Sequence, residues 1–81
     1  MAHDVTKEIL MFEEETDRLI MELIRNRKRR KMTQSDLAEE SGVSRVTIAR
    51  IESFSIQPEL ITMLKLFRVF NKTMELTDIE K

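Results

Sequence analysis

The sequence predicts an all-α fold, a bundle of four to five helices that forms one domain over residues 1–81. The 81 residues are enough for a single compact domain and too few for two. One glycine, one proline and many residues of high helix propensity indicate a mostly helical chain. Apolar residues recur at helical spacing near the N-terminus, which adds a helical extension over residues 1–18.

The residue inventory excludes several classes of function. No cysteine is present, so disulfides and thiolate metal sites are excluded, and Gly42 alone cannot build a phosphate-binding glycine loop. No apolar run approaches the roughly 20 residues of a membrane span, and the N-terminus lacks a secretory pattern. We therefore expect a binding protein and not an enzyme, with no cofactor, no bound metal and no membrane contact.

The formal net charge of −1 conceals an uneven distribution. Residues 1–24 carry a net charge of −5, residues 25–51 carry +5 and residues 52–81 carry −1. Six bases occupy the seven positions from Arg25 to Lys31. Because like charges at this density repel one another, an anionic partner such as phosphate explains the run better than a solvated helix face does.

The pattern of residues 5–30 predicts one long helix or two abutting helices. If there are two, we expect the break between them at the acidic residues 13–17. The seam positions follow one another at intervals of three and four: Val5, Ile9, Phe12, Thr16, Leu19 and Leu23. This seam either packs on the chain's own domain or forms a short coiled-coil arm for dimerisation. About three heptads is marginal for an independent coiled coil, so we favour packing on the domain.

The middle of the chain carries helix start and stop signals. Thr33 is placed to cap a short helix, with Asp36 at the third helical position in place of the usual Glu of a capping box. Gly42 lies where this helix must end with a positive φ. Ser44 can then cap a second helix from Arg45 to about Ser53. Two short helices joined by a tight glycine turn predict a helix-turn-helix over residues 33–53.

Residues 33–52, TQSDLAEESGVSRVTIARIE, resemble the helix-turn-helix signature of the phage lambda repressor/Cro (XRE) family, and the similarity extends over residues 19–70. The resemblance implies a lambda repressor-like fold and a transcriptional repressor that binds double-stranded DNA sequence-specifically, in the cytoplasm and on the nucleoid. It also implies that Arg27 pairs with Glu52. Phe54 stands where the family usually has glycine, so we expect the loop after the second helix of the motif to turn differently. Lys31 also stands where the family commonly has glycine, in the turn before the motif.

A helix that reads bases needs hydrogen-bonding and methyl-contacting side chains at its leading end, because each base pair shows a different pattern in the major groove. The resemblance places base contacts at Arg45, Val46, Thr47 and Arg50. It places contacts to the DNA backbone at Gln34 and around Ser44. From the basic run, we expect further phosphate contacts at Lys28, Arg30 and Lys31.

A fourth helix is expected with Pro58 at its first position. Its predicted core stripe is Leu60, Met63, Leu64, Phe67 and Phe70. Ile61, Leu66 and Val69 lie off this stripe, which leaves apolar surface for a second subunit. Residues 64–78 are similar to the tail of HipB-like antitoxins, in which a short strand pairs across a dimer. We therefore expect a strand over residues 72–79 and a homodimer interface at Leu66, Val69, Met74 and Leu76.

Two other functions stay open. One is an antitoxin that binds a cognate toxin, with the acidic segment 4–24 as the candidate toxin-binding arm, and that also represses its own operon. The other is a structural protein that uses the fold for contacts with RNA or protein.

Overall fold

The computed structural model describes residues 5–79, and these residues form four α-helices: α1 (Val5–Arg29), α2 (Gln34–Ser41), α3 (Arg45–Glu52) and α4 (Leu60–Arg68). The described part of the chain contains no strand, so the all-α prediction is confirmed. None of the described helices has the length and apolar character needed to cross a membrane.

Helix α1 is one uninterrupted helix, without the break considered at residues 13–17. The C-terminal half of α1 packs on the bundle, where Ile20 and Leu23 are buried. Phe12 is 62% exposed and Leu19 is 39% exposed. The prediction that the whole seam packs on the domain is therefore wrong at these two positions. The other seam side chains, Val5 and Ile9, lie outside the described side chains.

All four helices contribute to the hydrophobic core, which is completed by one residue beyond α4. The buried residues are Ile20, Leu23, Leu37, Ile48, Ile51, Met63, Leu66, Phe67 and Phe70. Because α2 and α3 are only eight residues long, their helical state depends on this packing and on their caps.

The residues predicted to cap the helices of the helix-turn-helix form the expected hydrogen bonds. The Thr33 hydroxyl accepts the backbone N–H of Asp36 at 3.0 Å, and the Asp36 carboxylate accepts the backbone N–H of Thr33 at 2.8 Å. These bonds lower the pKa of Asp36, because Thr33 donates to the ionised carboxylate. Gly42 ends α2 with φ 77°, and Ser44 caps α3 by accepting the backbone N–H of Thr47.

Two loops adopt the left-handed conformation without glycine. Lys31 has φ 56° and Phe54 has φ 61°, which is the left-handed conformation that glycine adopts most easily. Both positions close the end of a helix: the N–H of Met32 reaches the carbonyl of Arg27 at 3.1 Å, and the residue after Phe54 makes the equivalent bond. These bonds satisfy carbonyls that the helix end would leave unpaired, so the turn persists without glycine.

The predicted orientation of α4 is wrong at two positions. Leu60 is 65% exposed although we placed it in the core stripe, and Leu66 is fully buried although we placed it off the stripe. The buried face follows positions 63, 66, 67 and 70, which is also a helical spacing. The apolar character of α4 around most of its circumference made both faces compatible with the sequence. Pro58 precedes the N-cap, Glu59, and is not the first helical residue.

The C-terminal segment does not form the expected strand. Residues 72–79 have no regular secondary structure. A strand needs a neighbour for its ladder of hydrogen bonds, and no described residue provides one. Met74 is half-buried against the core, whereas Leu76 is fully exposed.

Candidate nucleic-acid interface

The position of α3 is fixed from its buried side. Ile48 and Ile51 are fully buried, and they anchor α3 against the core. At its start, the Ser44 hydroxyl accepts the backbone N–H of Thr47 at 3.1 Å and donates to the Thr47 hydroxyl at 2.8 Å. The Thr47 hydroxyl therefore keeps its own proton free to donate outward. The Ser44 hydroxyl donates its proton to Thr47 within the cap. The backbone of Ser44 is therefore the better candidate for a contact to phosphate.

The predicted reading side chains lie on the outer face of α3. Arg45 and Arg50 are exposed, and their guanidinium groups form no hydrogen bond or ion pair with the described part of the chain. Val46 is 54% exposed and presents its apolar side chain to solvent. Thr47 is half-buried beside them. The surface thus offers two free guanidinium forks, a hydroxyl donor and an apolar side chain.

A buried ion pair connects α1 to α3. Arg27 donates from Nε to Glu52 Oε2 at 2.8 Å and from Nη2 to Glu52 Oε1 at 2.7 Å. Its third donor, Nη1, reaches the carbonyl of Met32 at 2.8 Å. The hydrogen bonds to Glu52 raise the pKa of Arg27; burial opposes the shift, and the charge of Glu52 adds to it. This two-point contact confirms the predicted pair and fixes the angle between the two helices.

Gln34 also joins this network, which the sequence did not indicate. Its side-chain amide donates to Glu52 Oε1 at 3.1 Å, so this N–H faces the protein and not the solvent. Gln34 is also the first residue of α2, where a backbone N–H has no acceptor within the helix. The backbone of Gln34 is thus the better candidate for a phosphate contact.

The basic run divides into residues with partners and residues without them. Arg30 donates to the carbonyl of Val69 at 3.2 Å, and its guanidinium carbon lies 5.2 Å from the centre of the Phe70 ring. Arg30 therefore holds the C-terminal end of α4, where a cation is favourable. Lys28 and Lys31 are exposed, and their ammonium groups have no partner in the described part of the chain. Lys31 borders a shallow groove beside the acids of α2.

The helix-turn-helix family model matches residues 23–76, about two thirds of the chain. The chain belongs to the XRE family of helix-turn-helix proteins. It is 39% identical over 61 residues to an uncharacterized HTH-type transcriptional regulator of Haemophilus influenzae, an alignment that covers 75% of this chain and 62% of the relative. The chain thus spans less than two thirds of the length of that relative. No solved structure matches it significantly.

In this XRE-family chain, the four residues predicted for the dimer interface differ in their exposure to solvent. Leu66 is fully buried in the chain's own core and cannot contact a second subunit. Val69 and Met74 are half-buried, and only Leu76 is fully exposed. Ile61 is 58% exposed, and with Leu60 it forms an apolar surface on α4 that the sequence did not assign to the interface. Ile61 and Val69 also line an open groove of about 720 Å³ between α2 and α4.

Proposed function

We propose that this protein is a transcriptional regulator that binds double-stranded DNA sequence-specifically by inserting α3 into the major groove. The observation that carries this proposal is the leading end of α3. Arg45 and Val46 are exposed there, and Arg50 is exposed one turn later, on a helix that is fixed by buried residues and a buried ion pair. The major groove is wide enough for one α-helix, and rigid presentation of a few side chains is what its recognition requires.

Each exposed group has a chemical role in this proposal. The Arg45 guanidinium donates to O6 and N7 of guanine, and Val46 contacts the methyl group of thymine. The free hydroxyl proton of Thr47 bonds a base or a phosphate, and Arg50, one turn later, reaches a base or the backbone. Lys28, Lys31 and the backbone at the start of α2 provide contacts to phosphate that do not depend on sequence.

The regulator acts as a homodimer in this proposal. Exposed Leu60 and Ile61 on α4, with Val69 beside them, supply the apolar surface for a two-fold contact. A two-fold dimer aligns two recognition helices with half-sites about 34 Å apart. A protein that fills the major groove of an operator excludes other proteins from the same site, so we propose repression as its mode of action.

Selection of bound duplexes from a random pool tests the proposal, because the consensus reveals both base preference and two-fold symmetry. On the selected duplex, Arg45→Ala should weaken binding by about 1–3 kcal/mol, while binding to random duplex changes little. Arg18→Ala, which removes the same charge from exposed α1, is the matched control and should leave both affinities unchanged. Equal losses for Arg45→Ala on both duplexes would remove Arg45 from base recognition.

An antitoxin is the second candidate function, and the exposed apolar side chains of the acidic segment favour it. Phe12 and Leu19 have no covering element in the described part of the chain. Co-purification with the product of the neighbouring gene, followed by inhibition of that product's activity, would distinguish an antitoxin from a regulator that acts alone.

A further inference from the structure

The N-terminal half of α1 presents an apolar face that continues the core-facing side of the helix. Leu23 is fully buried in the bundle, whereas Leu19 and Phe12, one and three turns earlier on the same face, are exposed. Thr16 lies between them, and its hydroxyl donates to the carbonyl of Phe12 at 3.0 Å. Because the polar atom of Thr16 bonds its own helix, the Thr16 methyl group is left for packing. Residues 12–19 therefore form an apolar seam that the described part of the chain leaves largely uncovered.

The charges that flank this seam all have one sign. In the heptad register that places Phe12 and Leu19 at d and Thr16 at a, the flanking e and g positions are Glu13, Glu15, Ile20 and Glu22. Glu13 and Glu15 are exposed. Glu22 is half-exposed and is paired with Arg25 of the same helix at 3.0 Å. No base occupies an e or g position in the described part of the seam.

This pattern argues against a second copy of the chain as the occupant. In a parallel pair of α1 helices, a g position faces the e position of the next heptad, so Glu15 meets Ile20 of the second copy and finds no opposite charge. In an antiparallel pair, g faces g and e faces e, so Glu15 and Glu22 meet glutamates of the second copy. Charges at e and g set the choice of partner in coiled coils, and like charges there are destabilising. A helix with Lys or Arg at these positions has the complementary charge.

The adjacent surface has the same chemistry. A groove of about 280 Å³ lies on the Glu13 side of α1, between this helix and the loop that joins α3 to α4. Its lining includes Phe54, which is 47% exposed, and Ile56, which is 39% exposed, with the acids Glu13 and Asp17. A partner helix that packs on the seam can thus bury further apolar area while its bases meet these acids.

We propose that the seam of α1 over residues 12–19 binds an amphipathic helix of a different protein, with apolar residues on one face and Lys or Arg on both flanks. None of the seam residues belongs to the proposed DNA interface. Partner binding and DNA binding can therefore be measured and lost independently.

A synthetic peptide of three heptads, with Leu at a and d and Lys at e and g, serves as the probe. Titrated against the labelled full-length chain, it should bind with an affinity that falls as salt rises, whereas a twin peptide with Glu at e and g should not bind. Glu15→Lys should weaken binding of the Lys peptide up to about fivefold, because an attractive pair becomes repulsive. Glu14→Lys makes the same charge change on the opposite side of α1 and should leave the affinity within about twofold.

The apolar seam is tested by Phe12→Ser combined with Leu19→Ser, which keeps every charge. This double variant should lose binding of the Lys peptide, still unfold in one cooperative thermal transition and retain its affinity for duplex DNA. Undiminished binding would show that the attraction is only one of net charge, and would overturn the proposal. A wild-type dimer in sedimentation equilibrium that the seam substitutions dissociate would also overturn it, because a second copy would then be the occupant.

Discussion

Replacing Arg27 by methionine tests whether the buried ion pair fixes the orientation of the recognition helix. The Arg27 side chain is 12% exposed and that of Glu52 is 6% exposed. Methionine has a similar apolar stem but no donors, so Arg27→Met removes both bonds to Glu52 and the bond to the Met32 carbonyl. Within the described part of the chain, the Glu52 carboxylate would then retain only the side-chain amide of Gln34 as a hydrogen-bond partner.

The expected loss follows from the burial of the carboxylate that remains. Removing one partner of a buried ion pair costs about 3–5 kcal/mol, because the other charge stays desolvated. A chain of 81 residues has roughly 4–12 kcal/mol of stability at typical values per residue. The free energy of unfolding should therefore fall by a large fraction, and the melting temperature by roughly 12–40 °C.

Urea denaturation followed by far-ultraviolet circular dichroism measures this change, and α1 supplies a matched control. Arg25 pairs with Glu22 at 3.0 Å, but the two side chains are 61% and 43% exposed. Arg25→Met should cost less than about 1 kcal/mol, since solvent screens an exposed pair. The double variant Arg27→Met with Glu52→Leu should recover to within about 2 kcal/mol of wild type. If Arg27→Met costs no more than Arg25→Met, the pair does not fix the helices and the reasoning is wrong.

Three further changes test the caps and turns. Gly42→Val should destabilise the fold by about 1–3 kcal/mol. The loss comes from the positive φ of this position alone, because open space surrounds it. Asn tolerates this φ, so Gly42→Asn should melt close to wild type. The lowered pKa of Asp36 means that its stabilising bonds are complete above the unfolded pKa of about 3.9 and are lost as pH falls through the folded pKa. The melting temperature of Asp36→Asn should therefore lie below wild type at pH 7, and the gap should narrow below about pH 4; a gap independent of pH would contradict this. Lys31→Gly should stabilise the chain by about 0.5–1 kcal/mol, because it removes the strain of a lysine held at φ 56°. It should also lower the log–log salt slope of DNA binding by about 1, and an unchanged slope would exclude a phosphate contact at Lys31.

The parts of the fold that depend on neighbouring residues were predictable from the sequence. The capping box of Thr33 and Asp36, the turn at Gly42 and the cap at Ser44 each need only a few adjacent residues of the right chemistry. The Arg27–Glu52 pair spans 25 positions, and it was predictable only through the resemblance to the XRE family.

The parts that depend on how elements pack were not predictable. Helix α4 offers two apolar faces, and only the bundle decides that Leu66 is buried and Leu60 is exposed. Likewise, glycine preference predicted a changed turn at Phe54, whereas the hydrogen bonds that close α3 hold this residue in the left-handed conformation. The partners of Arg30 lie 39 and 40 positions away, beyond any local pattern.

These long-range contacts change what the basic run implies about DNA. Read as a sequence, the run offers six cations to phosphate. In the structure, Arg25 pairs with Glu22, Arg27 with Glu52, and Arg30 with the end of α4. The cations without a partner in the described part of the chain are Lys28, Arg29 and Lys31. Since each phosphate contact contributes about 0.9 to the salt slope, these three cations can add about 2.7 per subunit, while Arg27 and Arg30 hold the bundle that presents α3.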